Sequence, residues 1–367
     1  MKNIEISGVR AIYFSPTGST KTITEYVAKG LAELFGVPMR STSYTLPGER
    51  ARALASMELS HREDGEERLQ STAKPLQNVP GVFAPGELVV WGTPTYAGRI
   101  PNKTLDFVRE ILTTRAKLEN ASNIGKAVNA ESDKAAGGIE ASPNAGSDKS
   151  IAGNLMIPIA VYGNRSFDNC LAELGGLMKK GGHLPVAGIA MPTRHTFSKT
   201  LGAGRPDSAD FKALDDFCVK IKHKLMDMAV APVAFPGEEE PERYYVPKRL
   251  DGEPAVFLKA KPQLHPEKCT GCGACAAVCP MGSITFADSK ASSGDDNAGI
   301  SVDKEIQRSS EIIANMPEFP GICIKCQACI QHCQNGALYF DDADFLSHVA
   351  MLEANFAKEH KEPQLFL

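Results

Sequence analysis

Val9-Arg-Ala-Ile-Tyr-Phe-Ser-Pro-Thr-Gly-Ser-Thr20 joins a β-rich run to a short turn of hydroxyl residues and glycine. Beyond it, Ile23, Val27, Leu31 and Leu34 fall on one helical stripe, and Gly36 closes the pattern. A strand, a hydroxyl-rich turn and a helix make a cradle for phosphate. The first helical N–H groups have no partner inside the helix, and the helix dipole is positive there. The plainer alternative is a Ser/Thr cap that binds nothing. The turn is neither Gly-x4-Gly-Lys-Ser/Thr nor Gly-x-Gly-x-x-Gly, so it is not the loop of an ATPase or a dinucleotide site.

The same alternation continues downstream. Residues 37–46 read as a second strand and 49–62 as a helix. Glu87-Leu-Val-Val-Trp-Gly-Thr93 is apolar enough to be buried on both faces, and Leu105, Phe107, Val108, Ile111 and Leu112 mark the helix after it. Residues 156–162 and 186–191 give two more strands, each followed by a helix, near 167–181 and 208–228. About five βα units imply an α/β fold, a doubly wound parallel sheet with helices on both faces. The loops at 15–20, 93–99, 162–168 and 192–197 all follow strands and so gather at one sheet edge, where such sheets bind ligands. Tyr96 there can stack on a flat ring or fill a turn. Residues 48–86, with Glu63, Asp64, Glu66 and Glu67, and residues 119–154, rich in Ala, Gly, Ser and Asn, read as additions to a minimal sheet. The second is expected to be a mobile loop.

Eight of the ten cysteines lie in two copies of C-x2-C-x2-C-x3-C. These are Cys269, Cys272, Cys275 and Cys279, then Cys323, Cys326, Cys329 and Cys333. Thiolates crowded at this spacing suit a cubane iron–sulfur cluster. Structural zinc uses separated Cys-x2-Cys pairs instead. Each run leads into a short apolar stretch, Gly282-Ser-Ile-Thr-Phe286 or Gly336-Ala-Leu-Tyr-Phe340, which makes an internal repeat. Cys170 and Cys218 fall in expected helices and read as buried apolar residues. Residues 231–262 hold six prolines and read as an extended linker. Residues 343–358 read as a C-terminal helix with Phe345, Val349, Leu352 and Phe356 on one face.

The bulk numbers exclude some classes. The 367 residues are 43% apolar and 23% charged, with net charge −4. No apolar run is long enough to span a membrane, and no basic stripe suits nucleic acid. The opening MKNIEISGVR has no secretory pattern, and cysteines at metal spacing point to a reducing cytoplasm. Residues 236–367 carry 12 Lys+Arg against 20 Asp+Glu, an acidic half that either drifts or docks on basic surfaces.

The first 230 residues resemble a flavodoxin. Ser15-Pro-Thr-Gly-Ser-Thr20 matches that family's phosphate loop, and residues 92–101 and 162–167 resemble its two flavin-ring loops. The whole chain resembles the flavodoxin–ferredoxin fusion proteins called ferrodoxins, supported by Gly163-Asn-Arg165 and Gly204-Arg-Pro-Asp207. The resemblance implies a five-stranded parallel sheet in 1–230, a linker over 231–262, and a two-cluster ferredoxin-like domain in 263–367. It implies FMN held at Ser15, Thr17, Gly18, Ser19 and Thr20, at Pro94, Thr95, Tyr96, Ala97 and Gly98, and at Gly163, Asn164, Arg165, Phe167 and Asp168.

It further implies two 4Fe-4S clusters in which each fourth cysteine crosses over. Cys269, Cys272, Cys275 and Cys333 would hold one, and Cys323, Cys326, Cys329 and Cys279 the other. The expected function is cytoplasmic electron transfer between clusters and FMN in anaerobic metabolism. A redox protein would be donor or acceptor, and a homodimer is left open. The alternative is a flavin-dependent reductase of a small molecule or quinone, where His195, beside Arg194 and Phe197, would contact flavin or substrate or be merely solvated. One departure is Gln334, where the ferredoxin pattern has proline after the last cysteine. It is expected to alter backbone hydrogen bonding to sulfur. The 43 residues between Cys279 and Cys323 also exceed a compact ferredoxin's spacer.

Overall fold

A computed structural model describes residues 5–62, 83–84, 86–114, 153–227, 230–286 and 316–367. The acidic cluster at 63–67, nearly all of the 119–154 segment and most of the spacer between the cysteine runs lie outside the described residues.

The α/β reading holds. In chain order the elements are β1 (Gly8–Tyr13), α1 (Ser19–Phe35), β2 (Met39–Ser43), α2 (Pro47–Arg62), β3 (Glu87–Pro94), α3 (102–114), β4 (Leu155–Tyr162), α4 (Cys170–Lys180), β5 (Leu184–Pro185), β6 (Gly188–Pro192) and α5 (Ser208–Met226). The main strands run parallel in the order β2-β1-β3-β4-β6. This is the flavodoxin-like order, with its crossover between β1 and β3. β5 pairs for two residues with the start of β4.

Alternate residues of each strand face opposite layers. One face of the sheet buries Val9, Ala11, Leu88, Val90, Ile157 and Ile159 against Ile23, Val27 and Leu31 of α1 and Leu214, Phe217 and Ile221 of α5. The other buries Ile12, Phe14, Val89, Trp91 and Met156 against Leu171 and Leu174 of α4 and Val108 and Leu112 of α3. Each fully buried side chain of this size contributes roughly 1.5–3 kcal/mol. Cys170 and Cys218 sit in these two layers, as expected of small apolar residues.

A further strand was not legible. Gln364–Phe366, almost at the chain's end, pairs antiparallel with β6, Gln364 opposite Ala190 and Phe366 opposite Gly188. Among the described residues the sheet therefore has seven strands rather than five. Three residues carry no readable periodicity, and their partner lies far away in sequence.

Residues 230–262 carry no helix, turn back on themselves at 248–254 where Lys248 bridges Pro254, and are pinned to the sheet. Val233 and Phe235 join the core layer beside α4, and Val233 N–H donates to Pro185 O at 2.8 Å. Tyr244 Oη donates to Ile100 O at 2.9 Å, and Tyr245 N–H to Ala97 O at 2.8 Å. The segment is a strap across the ligand edge.

The cysteine-rich region is built on two two-stranded ladders. Gln263–Leu264 pairs with Leu338–Tyr339, and Thr285–Phe286 with Pro317–Glu318. The first strand of each copy thus pairs with the last strand of the other, a pseudo-twofold exchange. Each copy has one turn of helix, Ala274–Ala277 or Ala328–Gln331. Among the described residues the apolar core here is Cys275, Ile284, Cys329 and Leu338, with Leu264, Phe286 and Phe319 packed against it. The helix Ala343–Phe356, capped by Asp342, buries Met351 and Leu352 against Leu201 and sets Phe345 edge-on to Phe197 at 4.9 Å.

Candidate functional site

The loops that follow the strands do gather. They line a cavity of about 210 Å³ at the C-terminal edge of the sheet. Ser15, Thr17, Ser19 and Thr20 come from the first loop, Pro94, Thr95, Tyr96, Ala97 and Gly98 from the second, and Gly163 and Arg165 from the third. The remaining residues expected at the site support it from behind. Gly18 is the left-handed residue that starts α1. Asn164 is buried and donates to Phe356 O at 3.0 Å and Glu359 O at 2.9 Å, tying its loop to the C-terminal helix. Phe167 packs on Tyr162 in the core. Asp168 pairs with Arg165 and lies against the backbone of Gly98.

The first loop has the geometry of an anion site. α1 begins without a side-chain cap. Ser15 Oγ accepts only the Lys21 N–H, at 2.9 Å, while Ser15 N–H donates to Thr45 Oγ1 at 2.9 Å. Among the described residues no partner is formed by the N–H groups of Ser19 and Thr20. They stand at the positive end of a 17-residue helix. The Thr95 hydroxyl is also buried, with the Cys170 thiol beside it and no oxygen or nitrogen partner. These unsatisfied donors fit a bound phosphate and a polar ring system.

The second loop is held by a buried pair. Arg99 binds both carboxylate oxygens of Glu173, Ile100 N–H donates to Glu173 Oε2 at 3.1 Å, and the Arg99 guanidinium lies 4.4 Å over the Tyr244 ring. Arg165 lies 4.0 Å over the Tyr245 ring. The strap therefore clamps both loops expected to hold a ring.

Several lining residues were not anticipated from the sequence. Tyr245, Pro247 and Phe257 come from the strap, His348 and Leu352 from the C-terminal helix, and Ile324 and Lys325 from inside the second cysteine run. Thr193, Arg194, His195, Thr196 and Phe197 line it too. His195 is not a solvated loop residue. Its ring lies so close to Gly163 that any β-carbon there would clash, at 2.3 Å. Its Nδ1 accepts the Phe197 N–H at 3.1 Å, leaving the proton on Nε2. Burial, then His348 and Arg165 nearby, push the ring down to about 3, so it is neutral at ordinary pH.

The cysteines approach the same cavity. Tyr96 lines the cavity beside Ile324 and Lys325 of the second run, and burial first, then Cys326 and Cys323, push its phenol well above the ordinary value. The Cys329 thiol is pushed up by burial and then by Cys326, Cys323, Cys279 and Cys275. Cys279 of the first run lines a small hollow together with Cys323, Cys326 and Cys329. Cys275 in turn feels Cys269 and Cys272. Buried neighbouring thiols resist ionising unless a cation binds them, which is what a metal cluster supplies. Gln327 Nε2, between two of these cysteines, is buried without a partner. Among the described residues no three His, Cys, Asp or Glu side chains converge as a single ion requires.

Backbone N–H groups serve the sulfurs in matched pairs. Gly271 N–H points to Cys269 Sγ at 3.5 Å and Lys325 N–H to Cys323 Sγ at 3.4 Å. Ser283 N–H points to Cys279 Sγ and Ala337 N–H to Cys333 Sγ, both at 3.3 Å. The expectation that Gln334 would disturb this pattern is not met. The turn after Cys333 closes through Gly336 N–H to Cys333 O at 3.1 Å, as Gly282 N–H does to Cys279 O at 3.1 Å. The sulfur bond depends on that turn, which forms without proline.

Residues 262–285 match the family described as a 4Fe-4S binding domain. Solved structures similar to the chain include a flavone reductase, at TM-score 0.35 and 10% identity, covering 61% of this chain and 65% of that one. They also include a flavodoxin from the domain Archaea, at TM-score 0.30 and 14% identity, covering 59% of this chain and 98% of that one. The chain spans just under two thirds of the flavone reductase's length. No curated protein matches. The family match supports an iron–sulfur redox protein with at least one 4Fe-4S cluster. Among the described residues no helix is long and apolar enough to cross a membrane.

Proposed function

We propose that the chain is a cytoplasmic electron-transfer flavoprotein carrying FMN and two 4Fe-4S clusters, with units over 1–230 and 263–367 joined by the 231–262 strap. One observation carries this reading. A single cavity is lined both by the phosphate-type loop at Ser15, Thr17, Ser19 and Thr20 and by Ile324 and Lys325 of the second cysteine run. A group held there would touch both halves of the chain.

Clusters exchange single electrons and FMN one or two, so the combination can gather single electrons into pairs or split a pair. The residues divide the work of holding these groups. Ser15, Thr17, Ser19 and Thr20 donate to the phosphate. Tyr96, Thr95 and the 163–168 loop bound the ring, and the Arg99–Glu173 pair keeps their spacing. Cys323, Cys326, Cys329 and Cys279 hold the cluster beside the cavity. Cys269, Cys272, Cys275 and Cys333 hold the outer one. Cys272 is exposed whereas its counterpart Cys326 is buried, so a redox protein partner docks at the first run.

A second reading has its own observation. Residues 193–197, with Phe257 and His348, enclose the cavity beyond the expected flavin loops. That favours a reductase acting on a small molecule or quinone at the flavin.

Anaerobically purified protein should contain about eight iron atoms and one FMN per chain, and Thr17→Ala should lower flavin retention. Zinc in place of iron overturns the cluster assignment, and unchanged flavin content in the variant overturns the phosphate loop. A redox titration that follows cluster and flavin bands separately, with protein and quinone acceptors in turn, separates carrier from reductase.

A further inference from the structure

Lys325 occupies a position that ordinarily suits neither its backbone nor its charge. It holds φ 57, the left-handed region, where the matching residue of the first copy is Gly271 at φ 66. A side chain in that conformation costs roughly 1–2 kcal/mol. Its ammonium is also buried, with Lys325 only 8% exposed. Nζ donates to Leu258 O and to Cys323 O, the latter at 3.0 Å, both of them neutral carbonyls. Asp342 acts on it through its charge, but among the described residues no carboxylate forms a salt bridge with it. A buried cation with no anion in direct contact is unfavourable.

Two further places can hold counter-charge in direct contact, and Lys325 touches both. Its backbone N–H points to Cys323 Sγ at 3.4 Å, so it lies against the second run's thiolates. Lys325 also lines the cavity together with Tyr96 and Ile324. The first run has only a hydrogen atom at this place in its turn, and Lys268, its neighbour in sequence, is exposed.

We infer that Lys325 is a positioning charge that makes the second-run site a better electron acceptor than the first, and that it adds to the binding of reduced, anionic flavin. The inference rests on the cluster and flavin assignment proposed above. Added negative charge is stabilised by a fixed cation nearby in a low-dielectric site, and cluster potential follows local charge. The two copies are built alike, so this substitution within the repeat would order the potentials from the first run, where Cys272 is exposed, toward the cavity.

The test is an anaerobic redox titration of the full chain followed by EPR and visible absorption, after iron and flavin have been counted. The signal lost in Cys279→Ser identifies the second-run cluster. Lys325→Gln and Lys325→Gly, the latter restoring the first copy's residue, should both move that cluster's midpoint to more negative potential. The first-run midpoint should stay in place, and Lys325→Arg should stay near wild type. Binding of reduced flavin should weaken about tenfold in the Gln and Gly variants, a change equivalent to about 1.4 kcal/mol. Full iron and flavin content with unmoved midpoints, or both midpoints moving together, overturns the role of Lys325 and leaves the cofactor assignment intact. A wild-type chain without a second cluster overturns both.

Discussion

In the first cysteine run Gly271 and Gly273 take positive φ and Cys272 faces solvent. In the second, Lys325 and Gln327 take the same conformation and Cys326 is buried. The ladders, helical turns and sulfur hydrogen bonds are otherwise matched pair by pair. The two copies therefore share a scaffold and differ in what packs around it. The first is anchored near its end by Arg50 of α2, whose Nη2 donates to Pro280 O at 2.6 Å. The second forms a wall of the cavity at the sheet edge. Duplication supplies two equivalent metal sites, and the fold then makes them inequivalent by burying one against the ligand edge.

The comparison can be broken most severely at the crossing. Cys279→Ser should remove the cluster of the second run and about half the iron, while the first-run signal survives. Iron analysis with EPR decides it, and loss confined to the first-run cluster refutes the exchange of fourth ligands.

Glu173→Ala should come next. It leaves the Arg99 guanidinium buried without its carboxylate and should cost about 3–5 kcal/mol in anaerobic denaturant unfolding. Because Arg99 holds the loop carrying Tyr96, the second-run signal should change shape and the first-run signal should not. A loss below about 1 kcal/mol would show that the pair is solvated.

Gly271→Lys places in the first copy the residue that the second copy carries. Forcing a side chain into the left-handed region there should cost about 1–2 kcal/mol, read as a lower denaturation midpoint. No loss would mean that the first turn relaxes where the second is held.

Gln334→Pro gives the second run the proline of the first. Gln334 is exposed and its turn already forms, so the change in stability should stay within about 0.5 kcal/mol. A larger shift, or a moved cluster potential, would show that proline restrains the sulfur bonds after all.

Much of the fold was legible because it rests on strong local signals. The apolar runs at 87–93 and 156–162 announced buried parallel strands, and the stripe Ile23, Val27, Leu31, Leu34 announced α1. The strand at Gln364–Phe366 was not legible, because three residues have no period and the pairing spans the whole cysteine-rich region. The strap looked like a free linker because proline and glutamate dominate it. The anchors that pin it, Val233, Phe235, Tyr244 and Tyr245, are scattered singly. Lys325 could have been noticed by laying the two cysteine runs over each other, where it answers to a glycine.

By itself the sequence determined the chemistry on offer: eight thiols at cluster spacing, a hydroxyl-rich turn between strand and helix, and alternation that makes a parallel sheet. These are local or periodic properties, set by residue type and spacing along one stretch of chain. Only the tertiary structure decided that the second cysteine run abuts the same cavity as the phosphate-type loop, with Tyr96 lining it beside Ile324 and the buried Lys325. That adjacency comes from the strap, the C-terminal helix and the final strand folding back on the sheet. Contacts so distant in sequence leave no periodic trace, because their energy is realised only when both surfaces are already formed.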